Sequence, residues 1–189
     1  MSGTLVHLTF DIIMRKLTHE EVVNRQKEKC NDPHLPFVVV LNNIRSLYNV
    51  GSIFRTADGA GVEKIWICGI TGHPPNNQIS KTALGAQEHV AWEYRQEISS
   101  VLKELKAKNY QIILLEQTKE SCYYESIDLK TPVCLVIGNE IEGISPDILR
   151  FCDVAIEIEM AGIKNSLNVA VAFGVIAYHF RSCLSEKLL

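Results

Sequence analysis

Short runs of consecutive apolar residues recur along the chain, at 37–41, 64–68, 110–115 and 133–137, with a weaker one at 154–158. Runs of this length without polar alternation suit strands covered on both faces. Between them lie stretches of helical character, at 51–60, 98–108 and 146–151. Strands alternating with helices predict an α/β domain, a mainly parallel sheet with helices on both faces. Residues 72–77, which contain Pro74-Pro75, read as a loop. Upstream, Thr18 followed by Glu21 fits a capping box and predicts a helix over His19–Lys29, ended by Asn31-Asp32-Pro33. The last helical stretch is apolar without interruption over 169–177. A helix apolar all round must be covered all round, so one face is expected to meet a partner subunit, most simply in a two-fold homodimer through this C-terminal helix.

Length and composition narrow the picture. The 189 residues argue for one domain with a short appendage, here residues 1–36 as an N-terminal helical extension and 37–189 as the domain proper. The net charge of −3 excludes a strongly basic nucleic-acid coat protein, so any nucleic-acid binding uses a local patch. No apolar run reaches the ~18 residues of a membrane helix, and no signal peptide is evident at the N-terminus. The six cysteines form no CxxC pair and read as reduced thiols of a cytoplasmic protein. The six histidines show no paired-ligand spacing, and no metal site is expected. In the extension, Arg15, Lys16, Arg25, Lys27 and Lys29 fit either a solvated helix or an RNA-contacting arm.

Ligands of parallel α/β sheets bind outside the carboxyl ends of the strands. Three polar, glycine-containing segments stand there: 42–55 after the first strand, 138–143 after the run at 133–137, and 159–168 after the weakest run. Neither a GxGxxG nor a GxxxxGK[ST] sequence occurs, which excludes the dinucleotide fingerprint and the P-loop. Gly138, Gly143 and Gly162 allow close backbone approach to a flat ring. Asn49 suits a helix cap, with Arg55 in the second turn of the same helix. Taken singly, Arg55 could pair with Asp58, Glu140 could be a surface carboxylate, and Ser166 and Asn168 could be a helix cap and a neighbouring amide.

Together the segments carry more. Residues 43–57 (NIRSLYNVGSIFRTA), 135–145 (LVIGNEIEGIS) and 158–172 (IEMAGIKNSLNVAVA) resemble, in order and spacing, the three motifs of the SpoU/TrmH family of the SPOUT class of RNA methyltransferases. The stretch 81–86 (KTALGA) resembles the small-residue segment between its first two motifs. The resemblance covers residues 37 to 185. It implies a C-terminal deep trefoil knot, S-adenosylmethionine as cofactor, methyl transfer to a ribose 2′-hydroxyl of tRNA or rRNA, and a homodimer. It also implies that Gly138, Ile158, Met160 and Leu167 contact the cofactor. Arg55 would stand at the reacting hydroxyl, with Asn49 positioning it, Glu140 as the second-motif carboxylate and Ser166 and Asn168 as the third-motif polar pair. Arg45, Lys81 and Lys164, with Arg15 and Lys16 of the extension, are the candidate RNA contacts, and a compact tRNA is expected ahead of rRNA. One departure is Glu159, where the family carries proline. A non-catalytic RNA-binding dimer on the same fold is the alternative, and Glu159 favours it.

Overall fold

A computed structural model describes residues 14–29 and 34–187. The chain divides into two units, Met1–Pro33 and His34–Leu189. In the first, helix α1 (His19–Lys29) starts on the expected capping box. The Glu21 N–H donates to the Thr18 hydroxyl at 3.3 Å, and the Thr18 N–H donates to the Glu21 carboxylate at 2.8 Å. The expected helix end at residues 31–33 lies outside the described residues.

The second unit is a parallel sheet between helices. Its elements in chain order are β1 (Leu35–Asn42), α2 (Leu47–Ala60), β2 (Val62–Cys68), α3 (Asn77–Ala83), β3 (Ala91–Arg95), α4 (Ile98–Ala107), β4 (Gln111–Leu115), β5 (Cys122–Tyr123), β6 (Val133–Ile137), α5 (Pro146–Leu149), β7 (Val154–Glu157) and α6 (Val169–Lys187). The seven strands pair in the order β3-β2-β1-β6-β4-β7-β5, all parallel. In the centre, Val39 of β1 stands between Ile65 of β2 and Leu135 of β6. The pleat sorts the apolar run by face. Phe37, Val39 and Leu41 join Phe54 of α2 and Phe173 and Phe180 of α6 in one core, where the Phe37 and Phe180 rings meet edge to face at 5.4 Å. Val38 and Val40 join Leu102 of α4 and Ile148 of α5 in the other. Helices therefore cover both faces, as the unbroken apolar runs require.

Two strands and one helix were not expected from the pattern. Edge strand β3 is only half buried, and Glu93 bridges Lys64 of β2 and Arg95, so it never reads as an apolar run. Strand β5 has two residues, and α3 is short and largely polar. Helix α2 begins earlier than its apolar pattern suggests. Its N-cap is Ser46, whose hydroxyl accepts the Asn49 N–H at 3.3 Å. Asn49 is thus a first-turn residue and not the cap, and Arg55 falls in the third turn rather than the second. Helix α6 packs on α2 and β1, but not all round: Val171 and Tyr178, seven residues apart on one face, are each 53% exposed.

Candidate active site

The strands deliver their carboxyl ends to one edge of the sheet. A cavity of about 160 Å³ opens there, between the tips of β4, β6 and β7 and the first turn of α6. Its apolar wall is Leu115, Ile137, Ile158, Met160, Leu167, Val169 and Ala172, and its polar lining includes Glu116, Gln117, Asn139, Glu140, Glu157 and Ser166, with Gly138 between. All four residues expected at the cofactor, Gly138, Ile158, Met160 and Leu167, are in this lining, together with Glu140 and Ser166.

The segment after β6 is a hydrogen-bonded turn. The Asn139 Oδ1 accepts the N–H groups of Ile141 and Glu142, at 2.8 and 2.9 Å, and its Nδ2 donates to the Asn43 carbonyl at 2.9 Å. Asn43, at φ +59°, accepts the Ile70 N–H at 3.0 Å. The turn closes on Gly143, at φ +64°, where a Cβ would also strike the Glu116 carboxylate.

A relay of amides joins the three segments. Asn168 caps α6, its Oδ1 accepting the Ala170 N–H at 3.0 Å, while its Nδ2 donates to the Asn49 Oδ1 at 3.1 Å. The Asn49 Nδ2 donates to Glu140 Oε1 at 3.1 Å, and the Arg45 N–H donates to Glu140 Oε2 at 3.3 Å. The chain of donors ends on a carboxylate, which when ionised only accepts. Partial burial pushes the Glu140 carboxyl up, but hydrogen bonds from its own N–H, Asn49, Arg45 and Ser46 outweigh that and hold it below the ordinary carboxylate value.

Other expected residues are placed differently. Arg55 lies exposed on α2, outside the cavity lining, and makes no hydrogen bond or ion pair with another described residue, Asp58 included. Arg45 is exposed at the start of α2, and Lys81 is exposed on α3, which packs against α2. Lys164 is exposed on the loop after β7, in a shallow outer cleft shared with Glu159. Glu159, where the family carries proline, is absent from the cavity lining itself. In the N-terminal unit, Lys16 is exposed and Arg15 is engaged with Glu21 at 2.5 Å. The sequence reading missed Glu116 and Gln117, which follow β4. The polar step at the end of the apolar run 110–115 was their only sequence signal. Gln117 donates to the Asn165 carbonyl at 2.8 Å, tying β4 to the loop after β7. Among the described residues no helix is long and apolar enough to cross a membrane, no group of side chains could hold a metal, and the described cysteines are free thiols.

Comparison with known proteins agrees with this arrangement. The profile of the SpoU rRNA Methylase family matches residues 36–178. A tRNA (guanosine(18)-2′-O)-methyltransferase of Aquifex aeolicus is 31% identical over 93% of this chain and 83% of its own length. A TrmH family tRNA/rRNA methyltransferase of Staphylococcus saprophyticus is 32% identical over 80% of this chain, which spans 60% of that longer protein. Among solved structures, the A. aeolicus TrmH/SpoU tRNA modifying enzyme superposes with a TM-score of 0.77 at 31% identity, over 89% of this chain and 85% of that one. The AdoMet-bound rRNA methyltransferase of Sinorhizobium meliloti does so with 0.74 at 27% identity, over 82% and 60%. The chain belongs to the SpoU methylase family. Its parallel sheet between helices is the fold of that family's solved structures.

Proposed function

We propose that this protein transfers a methyl group from S-adenosylmethionine to a ribose 2′-hydroxyl of RNA, acting in the cytoplasm as a homodimer through α6. Residues 37–189 form the catalytic domain, with the family's C-terminal knot, and residues 1–36 an RNA-contacting extension. The observation that carries this reading is the cavity itself. It gathers the four cofactor residues named from the motifs, and it lies where the relay Asn168–Asn49–Glu140 ties all three motifs together. The fit to the cofactor is chemical. An apolar wall suits a purine ring, and the lining carries three carboxylates and no cationic side chain, which suits a ligand bearing positive charge. The half-exposed face of α6 around Val171 and Tyr178 supports the dimer. A tRNA is favoured over rRNA, because the Aquifex aeolicus relative, matched over 83% of its own length, is named for tRNA.

When bound, S-adenosylmethionine supplies an electrophilic methyl group. The chain's own work is positioning, which can supply roughly 7–11 kcal/mol of a barrier. Gly138 and the turn on Asn139 present backbone groups to the cavity, and Leu167 and Ile158 give its wall apolar surface. Glu140 holds the second motif against the first. Arg55, exposed and unpaired, binds the RNA phosphate beside the reacting sugar and steadies negative charge on its oxygen. A guanidinium offers five donors in a fixed fork and no acceptor, so Arg55 acts by charge and fork geometry rather than as a base. Arg45, Lys81 and Lys164 add phosphate contacts, with Arg15 and Lys16 on the extension.

The test is incubation of the protein with methyl-labelled S-adenosylmethionine and tRNA or rRNA, followed by nucleoside mass spectrometry. A 2′-O-methylated nucleoside is expected, and Arg55→Lys is expected to lose most turnover with cofactor affinity unchanged. Cofactor binding without methylation of either RNA class, or full activity in Arg55→Lys, would refute the reaction or the role of Arg55 respectively.

A further inference from the structure

Three carboxylates line the cavity, and they are not equivalent. Glu140 is engaged by Asn49 and the Arg45 N–H, and Glu157 accepts the Ser121 hydroxyl at 2.5 Å. Glu116 is engaged on one side only. Its Oε1 accepts the neighbouring Gln117 N–H at 3.0 Å, whereas Oε2 finds no hydrogen-bond donor among the described residues. Oε2 rests instead against the bare Cα of Gly143, in the turn between the cavity and the first motif. Glu116 is a half-buried residue beside an apolar wall, and the lining holds no lysine, arginine or histidine to balance its charge.

We propose that Glu116 sets the charge preference of the cofactor site, favouring the sulfonium-bearing methyl donor over its neutral thioether product. The inference rests on the cofactor reading above. On transfer the C–S bond breaks with its electron pair left on sulfur, a C–O bond forms, and the hydroxyl proton passes to solvent. The ligand in the cavity thereby loses one positive charge. Glu116 then has less to attract, and methyl transfer itself loosens the spent cofactor. A preference of this kind is a difference between two affinities, so one unpaired charge suffices to create it. Reduced dielectric beside the apolar wall strengthens it relative to water.

Calorimetry with S-adenosylmethionine and S-adenosylhomocysteine tests the proposal on the unmodified protein and on Glu116→Gln, which keeps the side-chain volume against Gly143. The unmodified protein is expected to favour the sulfonium ligand. In Glu116→Gln that preference falls about tenfold, almost wholly through weaker binding of the sulfonium ligand. Added salt weakens the sulfonium ligand in the unmodified protein and far less in the variant. Equal weakening of both ligands, the mark of a contact to the shared sugar hydroxyls, would overturn the proposal, as would no change in either. Failure of the unmodified protein to bind either ligand would overturn the cofactor reading itself, a result distinct from those two.

Discussion

Replacing Asn49 by aspartate reverses one link of the relay without changing side-chain size. The Nδ2 donor 3.1 Å from Glu140 Oε1 becomes a carboxylate oxygen at the same place. Two terms follow. A hydrogen bond to a charged group is lost, worth about 1.5–3 kcal/mol. Two negative charges at this separation repel by about 1 kcal/mol at the dielectric of water and about 5 at an effective dielectric of 20. Glu140 is exposed, which places the repulsion towards the lower figure. The sum is about 3 kcal/mol, or a factor of about 100 in an equilibrium constant. It falls on the docking of the second-motif turn against the first motif, so it is read as weaker S-adenosylmethionine binding. The charge part depends on pH. Glu140 sits below the ordinary carboxylate value in the unmodified protein. Beside the introduced aspartate, one carboxyl of the pair rises above that value, because like charges share a proton. Affinity should therefore recover as pH falls from 7.5 to 5. Asn49→Ala loses both amide bonds but adds no charge, so its loss should be flat across that range. Calorimetry of the two variants at both pH values, with denaturant unfolding as a folding control, settles the matter. An Asn49→Asp protein that binds as Asn49→Ala does at pH 7.5, or shows no recovery at pH 5, would refute the relay as drawn.

Three further outcomes follow from the packing and the electrostatics. Phe180→Ala empties a fully buried site against Phe37 and should cost about 3–5 kcal/mol in denaturant unfolding, and a loss under 1 would contradict the core described above. The Arg15 side chain and the Thr18 N–H hold the Glu21 carboxyl down to about 2, so the start of α1 is secured above its unfolded value of 4.5 and released as pH falls from there through 2. A carbon-detected NMR titration of Glu21 with a midpoint near 4.5 would contradict the capping geometry. Burial pushes the Cys68 thiol up to about 12, Cys134 well above its ordinary value, and Cys152 up to about 11. Alkylation of the folded protein at pH 8, read by peptide mass spectrometry, should leave these three unmodified while Cys122 and Cys183 react.

What could be read from the sequence depended on how completely each element is buried. The run at 133–137 coincides with β6 because both of its faces are covered, so the two-residue period vanishes into a continuous apolar block. Edge strand β3 carries the same backbone pattern, yet Glu93 and Arg95 face outward and break the block. The start of α2 was misplaced because Ser46 and Asn49 are both good capping residues, and only the backbone shows which one accepts. The family resemblance named six cavity residues because each of its motif segments is continuous in the sequence. Glu116 follows β4 and is marked locally by nothing more than the polar step after the run 110–115, and its contact with Gly143, 27 positions away in the chain, is made by the fold.

Asn168 both opens the last helix and grips Asn49, more than a hundred positions earlier. The pocket therefore comes into being only once the far end of the polypeptide has arrived. During synthesis, a nascent chain that stops before residue 158 has the central strands but lacks five of the seven residues of the apolar wall. A metabolite that binds the finished pocket rewards completed molecules and ignores partial ones, so cellular supply of the methyl donor acts as a selective stabiliser of full-length product.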